Sequence, residues 1–128
     1  MALKMALSFS QVKIIDFGSA VIADPDLPRP FYKRFYGTTA YAAPEILLEK
    51  SYQAPPAEVW TLGILLSYLL TGAHPFPTVE DATKGKISLN ATEELPESAI
   101  SLMQRCLDPN PRTRATIREI KDHDWLLV

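Results

Sequence analysis

Residues 37–45, Gly-Thr-Thr-Ala-Tyr-Ala-Ala-Pro-Glu, are the stretch of the sequence that says most about the fold. Pro44 favours the first turn of a helix, so this stretch predicts a loop that runs into a short helix over residues 44–48. Upstream, the short run Val12–Ile15, rich in β-branched residues, predicts a strand that ends at a turn, Asp16-Phe17-Gly18. Prolines between these two stretches disfavour a helix, so residues 19–36 are predicted to form a long loop.

The sequence after residue 45 predicts mostly helices. The largest covers Ala57–Thr71 and is apolar on nearly every side, which is typical of a helix enclosed by other elements. A short exposed helix is predicted near Thr78–Lys84, and another is predicted to begin at Pro96. The capping-box pattern of residues 116–119 predicts a last helix that runs toward Trp125. The fold is therefore predicted to be mainly α, with a short β-strand region near the N-terminus.

Composition and charge exclude several classes of protein. The 128 residues include 13 Lys and Arg against 15 Asp and Glu, and this net charge of −2 argues against a nucleic-acid binder held by phosphate contacts. A single cysteine, Cys106, forms no internal disulfide, and with two histidines it makes no zinc set. The longest apolar run, Val59–Leu70, is shorter than the roughly 20 residues of a membrane span. The N-terminus lacks a signal-peptide pattern, so we expect an intracellular, cytoplasmic protein without nucleic-acid or membrane partners.

Several short motifs follow one another in a definite order along the chain. They are Asp16-Phe17-Gly18, residues 37–45, Val59-Trp60-Thr61-Leu62-Gly63, His74-Pro75-Phe76, Arg114 and His123-Asp124-Trp125. In this order they resemble the C-terminal lobe of a eukaryotic serine/threonine protein kinase, from its Asp-Phe-Gly turn to its final helix. In finer details, such as Glu58 where most kinases carry an Asp, the sequence is most similar to PAS-domain kinases. The resemblance implies a truncated kinase-like C-lobe of an α+β parent fold.

The resemblance implies a nucleotide-binding role for the first motif. Asp16 would bind Mg²⁺ across the phosphates of ATP, because a hard cation prefers carboxylate oxygen. Phe17 and Gly18 would lie beside it in the cofactor site, with the Phe17 ring packed inward. Judged without its context, an Asp before Phe-Gly is also typical of an ordinary turn.

A second implied role is the binding of the protein substrate beside its accepting hydroxyl. The residues of this substrate loop would be Gly37, Thr38, Thr39 and Tyr41, together with Ala40 between them. The Thr38 hydroxyl would bond to the catalytic loop of the kinase. An ordinary turn is the alternative for this stretch. His74 and His123, which lie in the later motifs, are expected to be structural.

The remaining implied roles are structural. Glu45 and Arg114 would form a buried ion pair that anchors the activation segment, with Arg112 as the competing partner for Glu45. Glu58 would stand where other kinases steady the catalytic loop, although its longer side chain puts that bond in doubt. Trp60 would be a core residue of the large helix.

Parts of a working kinase have no counterpart in the sequence. There is no Gly-rich phosphate loop and no His-Arg-Asp loop, and residues 1–15 contain no Asp, Asn, His, Arg or Glu that could act as the base. We therefore expect residues 1–128 to be a partial kinase domain, with the N-lobe and the catalytic loop absent. Its activation segment would cover about 16–45, and its C-lobe helices about 44–126.

Three functions follow as alternatives. The first is part of a serine/threonine kinase that transfers the γ-phosphate of ATP to protein Ser or Thr. The chain alone is then expected to be inactive, with no catalytic residue and weak or no binding of ATP and Mg²⁺. The others are a non-catalytic kinase-derived binding module and a non-functional remnant. Expected partners are a protein substrate, the missing kinase half, or a second copy held through exposed apolar surface.

Overall fold

The computed structural model describes residues 11–24, 26–49, 51–88 and 94–127. The described chain is mainly helical, as predicted. The helices are α1 (Pro44–Leu48), α2 (Ala54–Thr71), α3 (Val79–Thr83), α4 (Glu97–Cys106) and α5 (Ile117–Lys121). The strands are β1 (Phe31–Tyr32) and β2 (Tyr52–Gln53), and short 3₁₀ turns lie at Phe17–Ser19 and Thr39–Tyr41.

Helix α2 is the central element, and α4 packs against it. It begins three residues before the predicted start, with Pro55 in its first turn, where a missing N–H costs no helical hydrogen bond. It ends as predicted at Gly72, which adopts the left-handed conformation with φ 72°. Gly63 allows the close approach of α4, because a Cβ at this position would lie 2.7 Å from the Leu107 side chain.

The buried core consists of two clusters, and α2 contributes residues to both. One contains Ala43, Ala57, Trp60, Ile64, Phe76 and Leu107, and the other contains Val59, Leu102, Cys106, Ala115 and Ile120. In the first cluster the rings of Trp60 and Phe76 are stacked with centroids 5.3 Å apart. In the second, burial raises the pKa of the Cys106 thiol to about 11, so the thiol stays protonated and unreactive at neutral pH.

Side-chain caps begin two of the short helices. Helix α3 is capped by Thr78, whose hydroxyl accepts from the Asp81 N–H. Thr116 and Glu119 form the predicted capping box of α5. The prediction that this last helix runs toward Trp125 is wrong, because α5 ends at Lys121.

The strand predicted over Val12–Ile15 is also wrong. These residues are irregular and exposed, because no strand in the described part of the chain lies beside them to share backbone hydrogen bonds. The described sheet lies elsewhere and is antiparallel, with Phe31 opposite Gln53 and Tyr32 opposite Tyr52. Strand β1 therefore interrupts the long loop that the sequence predicted over residues 19–36.

Helix α2 is apolar on nearly every side, but the described residues do not enclose it. Leu62, Leu65 and Leu69 lie on one face at helical spacing, and all three are exposed, Leu69 by 74%. In the described ranges, no helix is long and apolar enough to cross a membrane. The outer face of α2 is thus an exposed apolar surface among the described residues.

Replacing Gly63 with Ala should destabilise the chain. A methyl group there would meet Leu107 and Cys106 at less than 3 Å, and such overpacking costs about 1–3 kcal/mol, more than the roughly 1 kcal/mol gained in helix propensity. Urea unfolding measures the change in the free energy of unfolding. Leu69→Ala on the exposed face of the same helix is the control, with an expected change within about 0.5 kcal/mol. A neutral Gly63→Ala would contradict the close packing of α2 on α4.

The exposed face of α2 should bind a dye that fluoresces on apolar surface. The double variant Leu65→Lys with Leu69→Lys should lose most of this fluorescence, because both substitutions place charges on the face. Leu127→Lys, at another exposed leucine, serves as the control and should leave the signal unchanged. A dye-silent, monodisperse monomer would show that this face is covered.

Candidate functional site

The residues singled out by their motifs lie along one segment, residues 16–45, and on the helical body behind it. At the start of the segment Asp16 adopts a left-handed conformation, with φ 62° and ψ 68°. Asp tolerates this conformation better than most residues, and residues held there cluster at functional sites. The 3₁₀ turn that follows is closed by a hydrogen bond from the Ala20 N–H to the Phe17 carbonyl at 3.0 Å.

The expected inward packing of Phe17 is not seen. Its side chain is 68% exposed, because no described residue covers the turn that carries it. Asp16 and Gly18 are exposed as well. The first motif therefore presents a carboxylate to solvent on a tight backbone turn, next to a largely exposed apolar ring.

The substrate loop is folded into a compact turn. The Tyr41 N–H donates to the Thr38 carbonyl at 3.0 Å, and the Ala42 N–H donates to the Thr39 carbonyl at 3.1 Å. The side chains of Thr38 and Thr39 are exposed, whereas Tyr41 is half-buried with its ring centroid 6.0 Å from that of Tyr68. Gly37 lets the Phe35 ring lie close to the backbone, because a Cβ at this position would lie 2.8 Å from that ring. The bond from Thr38 to a catalytic loop stays a prediction.

The structure brings Glu45 and Arg114 together across 69 residues of sequence. Arg114 Nη1 lies 2.7 Å from Glu45 Oε1, and Arg114 Nη2 lies 2.8 Å from Glu45 Oε2, so the pair is bidentate. The two side chains are 3% and 0% exposed. The competing residue, Arg112, is exposed and makes no such pair.

Further hydrogen bonds satisfy the rest of the Arg114 guanidinium. Nη1 also donates to the Pro56 carbonyl at 2.7 Å, and Nε donates to the Asp108 carbonyl at 2.8 Å. The guanidinium carbon lies 5.1 Å from the centroid of the Trp60 ring. A buried charge needs this degree of compensation, because an unpaired one would be strongly destabilising.

Polar side chains build the loop that presents Arg114, and sequence reasoning missed them. Asp108 accepts from the Asn110 N–H at 2.9 Å and from the Thr113 hydroxyl at 2.7 Å. Asn110 accepts from the Arg112 N–H at 3.0 Å. The run Asp-Pro-Asn-Pro over residues 108–111 was the available signal, because Asp and Asn in this setting cap their own turns.

Trp60 and Glu58 occupy different environments on α2. Trp60 is 1% exposed, and its indole N–H has no hydrogen-bond partner in the described part of the chain. Glu58 is exposed and lies near Tyr52. Burial and, to a smaller extent, the Glu58 carboxylate raise the pKa of the Tyr52 hydroxyl, which donates to the Arg34 carbonyl at 3.1 Å. A bond from Glu58 to a catalytic loop stays a prediction.

His74 makes contacts that the sequence did not indicate. Its Nε2 lies 2.7 Å from the carbonyl of Ala40, which is in the middle of the substrate loop. Its Nδ1 lies 3.1 Å from the Phe76 amide and 2.9 Å from the Phe76 carbonyl. His123 contacts Ser101 at 3.3 Å and the Trp125 amide at 3.2 Å, away from the loop.

The described residues supply one candidate ligand for Mg²⁺. The Asp16 carboxylate is of the right chemical type, but Mg²⁺ takes about six oxygens. No group of three or more His, Cys, Asp or Glu side chains suited to a metal occurs within the described ranges. In the first motif, the Asp16 carboxylate is therefore the group whose chemistry fits Mg²⁺.

Comparison with known proteins places the chain in a family. Residues 5–126 match the family model of the protein kinase domain, so the chain belongs to the protein kinase domain family. It is 37% identical over 117 residues to the serine/threonine-protein kinase PSK2 of Saccharomyces cerevisiae, with 91% of this chain and 10% of that protein covered. It is 36% identical over 124 residues to the CBL-interacting serine/threonine-protein kinase 8 of Arabidopsis thaliana, with 94% of this chain and 27% of that protein covered.

A third relative shows the same pattern. The serine/threonine-protein kinase pim-2 of Danio rerio is 36% identical over 116 residues, which cover 91% of this chain and 36% of that protein. The chain thus spans 10% to 36% of the length of these three relatives. It corresponds to part of a serine/threonine kinase, and the match includes the segment from Asp16 to Glu45.

Replacing Glu45 with Gln should strongly destabilise the chain. The substitution keeps the shape of the side chain but leaves the Arg114 charge buried without its counter-charge, which costs about 3–5 kcal/mol. The free energy of unfolding in urea is the measurement. Glu80→Gln is the matched control, because Glu80 pairs with Lys84 on the exposed surface, where a pair contributes about 0–1 kcal/mol. Equal effects of the two substitutions would show that the buried pair is not an anchor.

Proposed function

We propose that this chain is the activation-segment and substrate-binding part of a serine/threonine protein kinase, which transfers the γ-phosphate of ATP to protein Ser or Thr. The observation that carries the proposal is the fixed course of residues 37–45, which end at the buried Glu45–Arg114 pair. This pair holds the substrate loop on the helical body, and Asp16 lies at the other end of the same segment.

Each end of the segment over residues 16–45 has a proposed role. Asp16 would contribute one carboxylate to Mg²⁺ bound to ATP, and its exposure and left-handed backbone suit a ligand that faces a nucleotide. Phe17 and Gly18 would lie beside the nucleotide. Gly37, Thr38, Thr39 and Tyr41 would hold the protein substrate, since their turn leaves the two Thr side chains exposed.

On its own, the chain lacks groups that phosphoryl transfer by a kinase needs. Phosphoryl transfer depends on positioning and charge neutralisation by several groups, and the sequence has no His-Arg-Asp loop and no Gly-rich loop. We therefore propose that residues 1–128 alone transfer no phosphate and bind Mg²⁺ and ATP weakly or not at all. Residues that supply the base would come from the remainder of a kinase domain, which is also the proposed partner for the exposed face of α2.

An intracellular location follows from the proposed activity. A kinase that acts on cellular protein with ATP would be intracellular, which fits the single cysteine of the chain. The similarity to PAS-domain kinases stays a prediction.

Asp16→Asn tests the proposal in a polypeptide that carries this chain together with the rest of the kinase domain. It should lower the rate of transfer from ATP to a peptide at least about 100-fold, the scale on which removal of one electrostatic stabiliser acts. Asp26→Asn, at an exposed loop position, is the matched control and should retain activity. Full activity of Asp16→Asn would overturn the role of Asp16.

The intact mass of the native protein, captured from its source cells with an antibody to the C-terminal segment, is the complementary measurement. A mass far above 14.3 kDa is expected. A mass near 14.3 kDa together with transfer activity would contradict the proposed inactivity of the chain alone. A mass near 14.3 kDa without activity would favour a binding module over a kinase.

A further inference from the structure

We infer that His74 is a positioning residue that clamps the substrate loop to the end of α2. The substrate role of that loop rests on the proposed function, whereas the clamp rests on the geometry around the imidazole ring. His74 lies just after Gly72, which ends α2, and its Nε2 reaches the Ala40 carbonyl at 2.7 Å across 34 residues of sequence.

The chemistry of the contacts fixes the tautomer of the neutral ring. A carbonyl oxygen only accepts hydrogen bonds, so Nε2 must carry the hydrogen that it donates to Ala40. Nδ1 then accepts from the Phe76 N–H at 3.1 Å. In the protonated ring, Nδ1 can instead donate to the Phe76 carbonyl at 2.9 Å. The ring therefore spans from Phe76 to Ala40 in both protonation states, and Nε2 is the donor to the loop in each.

The ring is held in place by aromatic neighbours. It meets Tyr68 edge-on, with centroids 5.9 Å apart, and its centroid lies 6.3 Å from that of Phe76. Phe76 stacks on Trp60, whose ring lies against the Arg114 guanidinium. His74 and Arg114 therefore belong to one connected core. His74 holds the loop at Ala40 and Arg114 holds it at Glu45, five residues further on.

The clamp also sets the shape of a cleft beside the loop. The cleft has a volume of about 360 Å³, and Thr39, Ala40, Tyr68, His74 and Val79 are among the residues that line it. Thr39 and Ala40 form its wall on the loop side, and Val79 of α3 lines it as well. Because His74 donates to Ala40, loss of the donor should let the loop residues that line the cleft move. Binding of a peptide by the loop should then become weaker.

His74→Phe removes the donor and keeps an aromatic ring of similar size. In the 128-residue chain, amide hydrogen exchange of Tyr41 and Ala42, which donate to Thr38 and Thr39, should become about fivefold faster, the factor for one hydrogen bond of typical net strength. His123→Phe, the same substitution at the other histidine, should leave these two amides unchanged. Exchange in His74→Phe within about twofold of the unmodified chain would overturn the clamp.

The unmodified chain supplies a second readout that needs no variant to fold. Ring ¹⁵N shifts should show neutral His74 with its hydrogen on Nε2, and the Nδ1–H tautomer would overturn the clamp. In a polypeptide with the rest of the kinase domain, His74→Phe should raise the peptide KM about fivefold and change kcat by less than about twofold. Faster exchange with an unchanged KM would overturn the positioning role. Absence of transfer by the unsubstituted polypeptide would instead overturn the proposed function.

Discussion

The buried pair of Glu45 and Arg114 is the interaction on which the rest of the structure depends. Each charge would be costly to bury alone, and each is buried because the other is opposite it at 2.7–2.8 Å. Arg114 also bonds to the carbonyls of Pro56 and Asp108. One side chain therefore ties together three separate parts of the chain: the start of α1, the first turn of α2 and the loop before α5.

Trp60 connects this pair to the substrate loop. Its ring lies close to the Arg114 guanidinium and stacks on Phe76, and the Phe76 ring in turn lies close to the His74 ring. The cost of this arrangement is an indole N–H without a hydrogen-bond partner among the described residues. The aromatic contacts thus extend from the ion pair to the residue that contacts Ala40.

The sequence was most informative where local chemistry decides the structure. Pro44, Gly72 and the Thr116–Glu119 box mark helix ends because each acts on neighbouring backbone groups. The predicted strand at Val12–Ile15 failed because a strand also needs a partner, and β-branched residues do not supply one. Similarly, the pair of Glu45 with Arg114 rather than Arg112 followed from the family resemblance and not from the charges. The contact of His74 with Ala40 could not be predicted, since it joins residues 34 apart in an irregular part of the chain.

The two ends of the activation segment therefore differ in what holds them. Residues 42–45 are buried, and their order comes from the ion pair, from Trp60 and from α2. Residues 11–24 are exposed, including apolar side chains such as Ile14 and Phe17, which gain nothing from contact with water. Residues 42–45 thus take their geometry from contacts with the helical body. Within the described ranges, residues 11–24 bury no side chain, and the position of Asp16 is set by its own backbone conformation and by the turn that the Ala20 N–H closes on the Phe17 carbonyl.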